Sequence, residues 1–376
     1  MILIILSMEQ FYLWCRNIQK GNNLIFKGMK KRIFIIAFFI GLIAWSCSKT
    51  DLGPTQNLTL KQTVENNANK VNDALIKISQ TPGYQLMSVN DATIKSAESF
   101  TDSITLKLIA GIYDYQPDTL HQHFGFFHTF RLFKKTGTSD MMIVNLPELL
   151  VFHPWHLHNF EAADSVLKNN FTITASDYHY YYSSWNLFDY KISAGLTLDA
   201  VSQGSLDVSA AGDPTTGNSW SSAYSFTDGH KIEVRGQTGD TTQTSFALLN
   251  NTDTLLKESV TFIRSGFQIT ERKYSLSIGN IEIRRSSGID SIQVFVGGVL
   301  QKKAGAKITE GTDGSGSICG NRDIQLTFDD GTTTTLSALL NPSKTILKTL
   351  VSSLHSMFFA KNIVDYIAIS IFFDTH

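Results

Sequence analysis

The chain has few cysteines, almost no charge imbalance and no long apolar run. Its 376 residues include three cysteines, and 32 Lys and Arg residues nearly balance 33 Asp and Glu residues. Three cysteines are too few for a disulfide framework. The net charge of −1 provides no basic face for phosphates, so we expect no nucleic-acid partner. Hydrophobic residues make up 42% of the chain, which is enough for a sizeable core and excludes a disordered protein.

The sequence also lacks the short motifs that mark common catalytic sites. We find no Gly-x-Ser-x-Gly nucleophile elbow, no His-Glu-x-x-His zinc motif and no Gly-rich phosphate loop. A hydrolase that draws its carboxylates from separate strands is an open alternative, because a linear sequence does not show the distance between two carboxylates. The sequence therefore favours a non-catalytic protein and implies no cofactor.

A basic cluster and a short apolar run lie near the N-terminus. Residues 29–32 read Met-Lys-Lys-Arg, an apolar run covers residues 33–45, and Cys47 follows Ser46. A basic head, a short apolar middle and a small residue predict a secretory signal peptide, and the run is shorter than the ~20 residues of a membrane span. Residues 29–49 resemble a bacterial lipoprotein signal of the Bacteroidota type. The resemblance implies cleavage before Cys47 and lipid attachment to Cys47.

This resemblance also sets the predicted organisation of the N-terminal part. A signal peptide begins near its basic cluster, so we predict that residues 1–28 reflect the choice of start codon and that translation starts at Met29. Residues 29–46 are then the signal peptide, and the polar residues 47–58 are a tether. The mature protein is expected in the cell envelope, with a lipid anchor in the outer membrane. An uncleaved signal anchor is the alternative.

Residues 59–98 are predicted to form an N-terminal helical segment. Apolar residues recur there at intervals of three, four and seven: Leu60, Val64, Val71, Leu75 and Ile78. This spacing puts them on one face of an amphipathic helix. The helix is expected to end near Gln80, because Pro82 and Gly83 follow.

Residues 99–340 are predicted to form a β-rich body. Apolar residues alternate from Ile104 to Ile112, and two apolar stretches at 130–134 and 141–146 predict a hairpin around residues 135–140. Asp228-Gly229 and Asp330-Gly331 favour tight hairpin turns, since glycine tolerates positive φ. Further strands are predicted at 171–175, 190–198, 205–209, 222–226, 231–235, 245–249, 254–262, 274–284, 291–296 and 324–328. Short strands at this spacing predict a mainly β (α+β) fold, an antiparallel β-sandwich or stacked sheets flanked by N- and C-terminal helices.

Residues 341–376 are predicted to form a C-terminal helix plus a strand. Asn341 and Pro342 favour a helix start, and an apolar stripe follows them. The run 363–373 is rich in β-branched and aromatic residues, so we predict a buried strand there. Eleven residues that include Asp365 are too few and too polar for a membrane span.

A histidine cluster is the first candidate site. The segment His153-Pro154-Trp155-His156-Leu157-His158 resembles a copper-ligand segment of multicopper oxidases, in which such histidines bind several copper ions. His121, His123 and His128 lie upstream. The chain has no His-Cys-His segment, which that family needs for its electron-entry copper, so oxidase chemistry is not expected. A metal site on His153, His156 and His158 is a further alternative function.

An aromatic cluster between residues 178 and 190 is the second candidate site. Exposed Tyr and Trp rings anchor binding sites because they combine a large apolar area with a polar group. We predict ligand-binding roles for Tyr180, Tyr182, Trp185 and Tyr190, with Asp177 and Asp189 as acceptors of hydrogen bonds. The alternative is that these rings pack within or between sheets. The favoured function is a non-catalytic binding or structural module of the envelope, with a glycan or an envelope protein as partner.

Overall fold

The amphipathic pattern near the N-terminus forms a 20-residue helix, α1 (Leu60–Ser79), in a computed structural model. The structure describes residues 58–89, 100–116, 132–152, 168–266, 268–287, 292–310, 322–354 and 358–375. Helix α1 begins with a capping box, in which the Thr59 hydroxyl accepts from the Gln62 backbone N–H and the Gln62 side chain accepts from the Thr59 backbone N–H. It ends at the predicted place, with Gln80 as C-cap.

Six further α-helices are described, most of them short. Their bounds are α2 (Pro82–Val89), α3 (Leu106–Ile109), α4 (Glu148–Phe152), α5 (Leu336–Leu339), α6 (Lys344–Ser352) and α7 (Phe358–Thr375). A single 3-10 turn, Asn341–Ser343, leads into α6, so the predicted start at Asn341 and Pro342 is close to the observed one.

Eighteen strands carry most of the described chain. They are β1 (Phe100–Thr105), β2 (Gly111–Tyr115), β3 (Phe133–Gly137), β4 (Met142–Leu146), β5 (Phe171–Ser184), β6 (Leu187–Leu198), β7 (Val201–Asp213), β8 (Gly217–Ser225), β9 (His230–Gln237), β10 (Thr241–Asn250), β11 (Asp253–Ser265), β12 (Gln268–Ile278), β13 (Ile281–Ser286), β14 (Gln293–Val296), β15 (Val299–Leu300), β16 (Gly305–Glu310), β17 (Arg322–Thr327) and β18 (Thr333–Thr335). The predicted mainly β fold with helices near both ends is confirmed.

Most strands join one long sheet. Its order runs without a break from β15 down to β4 and then continues with β2 and β3, while β1 pairs with β5 and the strands β16–β18 form a separate sheet. Short turns produce this order, because each hairpin lays the next strand beside the last. The predicted turns at Gly229 and Gly331 are both present, each with positive φ. Fifteen of the eighteen described strands therefore share one large sheet.

The predicted hairpin between residues 130 and 146 is wrong. Strands β3 and β4 do exist, but they do not pair with each other. Strand β2 lies between them, antiparallel to β3 and parallel to β4. The predicted continuous strand from residue 104 to 112 is interrupted as well, by the short helix α3.

The two faces of the long sheet differ in chemistry. One row of cross-strand partners on the inner face is buried in all nine strands that it crosses: Ile192, Val208, Ser222, Val234, Phe246, Glu258, Leu276, Ile283 and Val294. The neighbouring row on the outer face is polar throughout: Lys191, Ser209, Ser221, Arg235, Ser245, Ser259, Ser275, Arg284 and Gln293. This is the period-two alternation of a sheet with one covered face.

Helix α1 covers one end of this inner face. The Asn67 side-chain amide donates to the Ile278 carbonyl (3.1 Å) and to the Asn280 side chain (2.8 Å), so α1 lies against the β12–β13 turn. Strand β5 begins and strand β6 ends at this end of the sheet, so the turn that connects them lies at the opposite end. At ~3.3 Å per residue, the 12 residues of β6 span about 40 Å.

The predicted strand at residues 363–373 is wrong, because the whole segment belongs to the 18-residue helix α7. An unbroken apolar run has no period, so it does not distinguish a buried strand from a helix that is enclosed on all sides. The first part of α7 is enclosed in this way, since Phe359, Val364 and Ala368 are all buried, while Phe373 near its end is 43% exposed. No helix among the described residues is long and apolar enough to span a bilayer.

Candidate functional site

The tyrosine-rich strand β5 arranges its rings along one face of the sheet. Side chains alternate along a strand, so Tyr178, Tyr180 and Tyr182 point to the inner face, and His179 and Tyr181 to the outer face. Strand β6 places Tyr190 opposite Tyr180 and Phe188 opposite Tyr182. The hairpin thus carries a ladder of rings that runs from the interior towards its turn.

The inner end of this ladder is sealed by helix α7. The hydroxyls of Tyr178 and Tyr190 donate to the same oxygen of Asp365, at 3.1 and 3.0 Å. The other oxygen of Asp365 accepts from the Lys361 ammonium at 2.5 Å, one helical turn away. All four side chains are buried. Burial, reinforced by the Asp365 carboxylate, raises the pKa of both phenols well above the ordinary value.

Tyr190 was predicted to bind a ligand, but the structure gives it a packing role. Only 8% of its surface is exposed, and its hydroxyl is engaged by Asp365. The Lys361 ammonium lies 4.9 Å from the centroid of its ring, and the rings of Tyr178 and Tyr180 meet it edge-on at 6.1 and 6.0 Å. Tyr180 is half-buried and packs against this same cluster. Tyr190 therefore does not belong to an open surface.

The outer end of the ladder is different. Tyr182 and Phe188 are half-buried and nearly parallel, with ring centroids 6.3 Å apart and an interplanar angle of 26°. The Phe188 ring lies over Gly212 of β7, where an added Cβ would come within 2.4 Å of Phe188 Cε1. The backbone at Gly212 does not have a positive φ, so its conformation does not require glycine. The ring above it is therefore the reason why this strand position has no side chain.

Trp185 occupies the β5–β6 turn and is 58% exposed. Leu187, beside it, is 42% exposed. The Asn218 amide of β8 donates to the Trp185 carbonyl at 3.3 Å and so ties the turn to the neighbouring hairpin. The Asn218 side-chain oxygen is buried and has no hydrogen-bond partner. We refer to Tyr182, Trp185, Phe188 and Asn218 together as the hairpin-tip surface.

The two predicted carboxylate acceptors lie on the other face. Asp177 forms an ion pair with Lys191 at 2.5 Å, and Asp189 lies 3.4 Å from the His179 ring nitrogen. Alternation along β5 and β6 places both carboxylates on the outer face, away from the rings of the hairpin-tip surface. They therefore do not share a site with Tyr182 and Phe188.

Sequence reasoning missed a buried carboxyl group, Glu258 of β11. Glu258 is 2% exposed, and Tyr274 donates to its Oε1 at 3.0 Å, while its Oε2 has no partner. Burial raises the pKa of Glu258 to about 7. The alternation along β11 could have signalled it, because Glu258 shares the inner-face register of Leu256. Its hydrogen-bonded neighbour is a phenol, and a hydrolase dyad would need a second carboxylate.

Two other predicted sites lie outside the described residues. These are the lipid-attachment residue Cys47 and the histidines His121, His123, His128, His153, His156 and His158. Among the residues that the structure does describe, no group of three or more His, Cys, Asp or Glu side chains could hold a metal ion. The lipid anchor and the histidine metal site therefore stay predictions.

Comparisons of the chain with protein-family models, with curated proteins and with solved structures found no match.

Proposed function

We propose that the chain is a non-catalytic binding module of the bacterial cell envelope. A lipid on Cys47 holds it to the outer membrane, and the hairpin-tip surface contacts its partner. The observation that carries this proposal is the contrast in exposure along one hairpin, because Trp185 at the turn is 58% exposed while Tyr178 and Tyr190 at the inner end are 2% and 8% exposed. Exposed aromatic side chains on rigid strands are typical of recognition surfaces, since ordering them costs little entropy.

A rigid support for the rings favours binding at this place. Strands β5, β6, β7 and β8 pair along almost their whole lengths, and Asn218 links the turn to β8. Sites on paired strands keep their geometry better than sites on free loops. A partner would therefore meet the rings of Tyr182 and Phe188 on paired strands, beside Trp185 in a turn whose backbone is held by Asn218.

Binding to an isolated bacterial envelope fraction tests the role of the surface. The full chain should co-sediment with the fraction, and Trp185→Ser should weaken this binding about tenfold, which corresponds to ~1.4 kcal/mol. Val299→Ser is the matched control, because Val299 is an apolar residue beside another hairpin turn, is 65% exposed and lies outside the surface. Equal binding by wild type and Trp185→Ser would contradict the proposed surface.

The anchor has a separate test. Cells that express the chain should incorporate labelled palmitate into it, and Cys47→Ser should abolish the label and release the protein from membranes. Retention of the label in Cys47→Ser would contradict lipid attachment at that residue.

A further inference from the structure

We infer that the ligand of the hairpin-tip surface is a neutral carbohydrate. The inference rests on the proposed function and names the chemical class that the surface would recognise. Three observations carry it: the placement of the rings, the polar groups beside them and a nearby carboxylate that disfavours anions.

The rings lie flat against the sheet, as a platform does. Phe188 covers Gly212, so its ring lies over the strand backbone and does not stand upright from it. Tyr182 is inclined by only 26° to that ring. Sugar rings carry C–H groups on their faces, and these pack well against the face of an aromatic ring, while hydroxyls at the rim stay available for hydrogen bonds.

Hydrogen-bonding groups lie next to this platform. The Asn218 side-chain oxygen would be 3.0 Å from a Cβ at Gly212, so it reaches the edge of the Phe188 ring, and it has no partner. Asn186 accepts from the Ser184 hydroxyl at 2.8 Å in the turn itself. An unpaired buried acceptor is costly unless a donor reaches it. This oxygen is itself buried, so the Asn218 side chain must rotate before a ligand hydroxyl can donate to it.

The surroundings do not favour an anionic ligand. Asp213, the last residue of β7, has a carboxylate that accepts from the backbone N–H groups of Thr215 and Thr216 at 2.7 and 2.8 Å. Asp177 and Lys191 neutralise each other on the opposite face. No cation of the described residues lies among Tyr182, Trp185, Phe188 and Asn218, so phosphate groups and anionic lipid gain no charge attraction here.

Size and position favour a glycan over a protein or a bilayer. Three partly exposed rings offer on the order of 300 Å² of apolar surface, whereas a stable protein interface needs ~800 Å² on each side. The turn also lies about 40 Å along β6 from the end of the sheet that α1 contacts. The surface is therefore at the end of the sheet opposite to α1.

Native affinity electrophoresis of the full chain tests the inference. The gels contain dextran, mannan, xylan or a β-1,3-glucan as neutral probes and heparin as an anionic one, and vesicles of phosphatidylethanolamine and phosphatidylglycerol are tested by flotation. We expect at least one neutral polysaccharide to retard the chain. Trp185→Ser and Asn218→Ala should each raise the dissociation constant about tenfold, while Val299→Ser should change it less than twofold.

The alternatives give different results. No retardation by any neutral probe, retardation that Trp185→Ser leaves intact, or vesicle binding that depends on Trp185 would each overturn the carbohydrate assignment. Binding to the envelope fraction distinguishes a failure of the carbohydrate assignment from a failure of the proposed function. Protease should leave binding to the fraction intact, and periodate should abolish it where the sugars carry vicinal diols, which 1,3-linked glucans lack. Trp185-dependent binding that protease abolishes overturns the carbohydrate and keeps the binding surface.

Discussion

The two ends of the β5–β6 hairpin use the same kind of residue for opposite purposes. At the inner end, Tyr178 and Tyr190 share one carboxylate oxygen of Asp365 and are closed off by helix α7. At the outer end, Tyr182 and Trp185 lie on or near the turn and remain partly accessible. Tyr178 and Tyr182 are only four residues apart and point to the same face. A chain segment almost 200 residues away decides which ring is buried.

This contrast shows what a cluster of aromatic residues means in a sheet. Tyr178 and Tyr190 hold helix α7 in place through a buried, charge-assisted hydrogen-bond network. Tyr182 and Trp185 form a partly accessible surface. Each polar side chain in this network has at least one hydrogen-bond partner, which is the condition for a polar group to be tolerated in a core. The outer end leaves one acceptor, on Asn218, unsatisfied.

The largest expected loss of stability comes from removing the Asp365 carboxylate at the inner end of the hairpin. Asp365→Ala leaves the Lys361 ammonium and two tyrosine hydroxyls buried without their partner, so it should lower the free energy of unfolding by about 3–5 kcal/mol. Urea denaturation followed by circular dichroism measures this. Asp189→Ala removes an exposed carboxylate from the same hairpin and should change stability by less than ~0.5 kcal/mol. A similar small loss in both variants would contradict a structural role for the network.

Glu258 provides a second comparison, because it is a buried carboxyl group that forms no ion pair with any of the described residues. Its pKa rises from 4.5 to about 7 on folding, so the folded state keeps a proton that the unfolded state loses. Stability should therefore fall as the pH rises from 4.5 to 7, by about 3 kcal/mol in total. Glu258→Gln should remove this fall.

Urea denaturation between pH 4 and pH 8 checks this prediction. The quantity that matters is the difference between wild type and Glu258→Gln at each pH. A constant difference across the range would contradict the raised pKa.

The third prediction concerns the platform at the open end. Gly212→Ala forces the Phe188 ring off the strand, so it should cost about 1–3 kcal/mol of stability, the usual range for overpacking. Gly195→Ala on strand β6 is the matched control, since an added Cβ there meets nothing within 4 Å. It should be neutral or stabilising by up to ~1 kcal/mol. Thermal unfolding of both variants compares them, and equal losses would argue against the ring placement.

The smallest expected effect on stability is that of Trp185→Ser. A side chain that is 58% exposed contributes little to the core, so the free energy of unfolding should stay within ~0.5 kcal/mol of wild type. A loss of binding in this variant would then not result from unfolding. A loss above 2 kcal/mol would show that Trp185 belongs to the core of the fold.

Local patterns predicted the local elements well. Helix α1 follows from its apolar spacing, and the turns at Gly229 and Gly331 follow from Asp-Gly pairs. The β3–β4 hairpin failed because β2 comes from earlier in the chain and takes the place between them. Pairing between distant segments depends on packing, which a local pattern does not encode.

The candidate site shows the same limit. The alternation along β5 assigns Tyr178, Tyr180 and Tyr182 to one face, but it does not say how far along that face a helix extends. Helix α7 was itself mispredicted as a strand, so the burial of Tyr190 could not be foreseen. The role of Gly212 was also out of reach, since it depends on a ring from a neighbouring strand.

Tyrosine nitration, mapped by mass spectrometry on the full chain, tests most directly whether the hairpin has a buried inner end and an accessible outer end. Nitration needs an accessible phenolate, and burial beside Asp365 raises the pKa of Tyr178 and Tyr190. The account predicts that Tyr182 is nitrated in the folded protein, that Tyr178 and Tyr190 react only on unfolding, and that a bound neutral polysaccharide protects Tyr182. Nitration of Tyr190 as fast as that of Tyr182, with no protection by any polysaccharide, would contradict it.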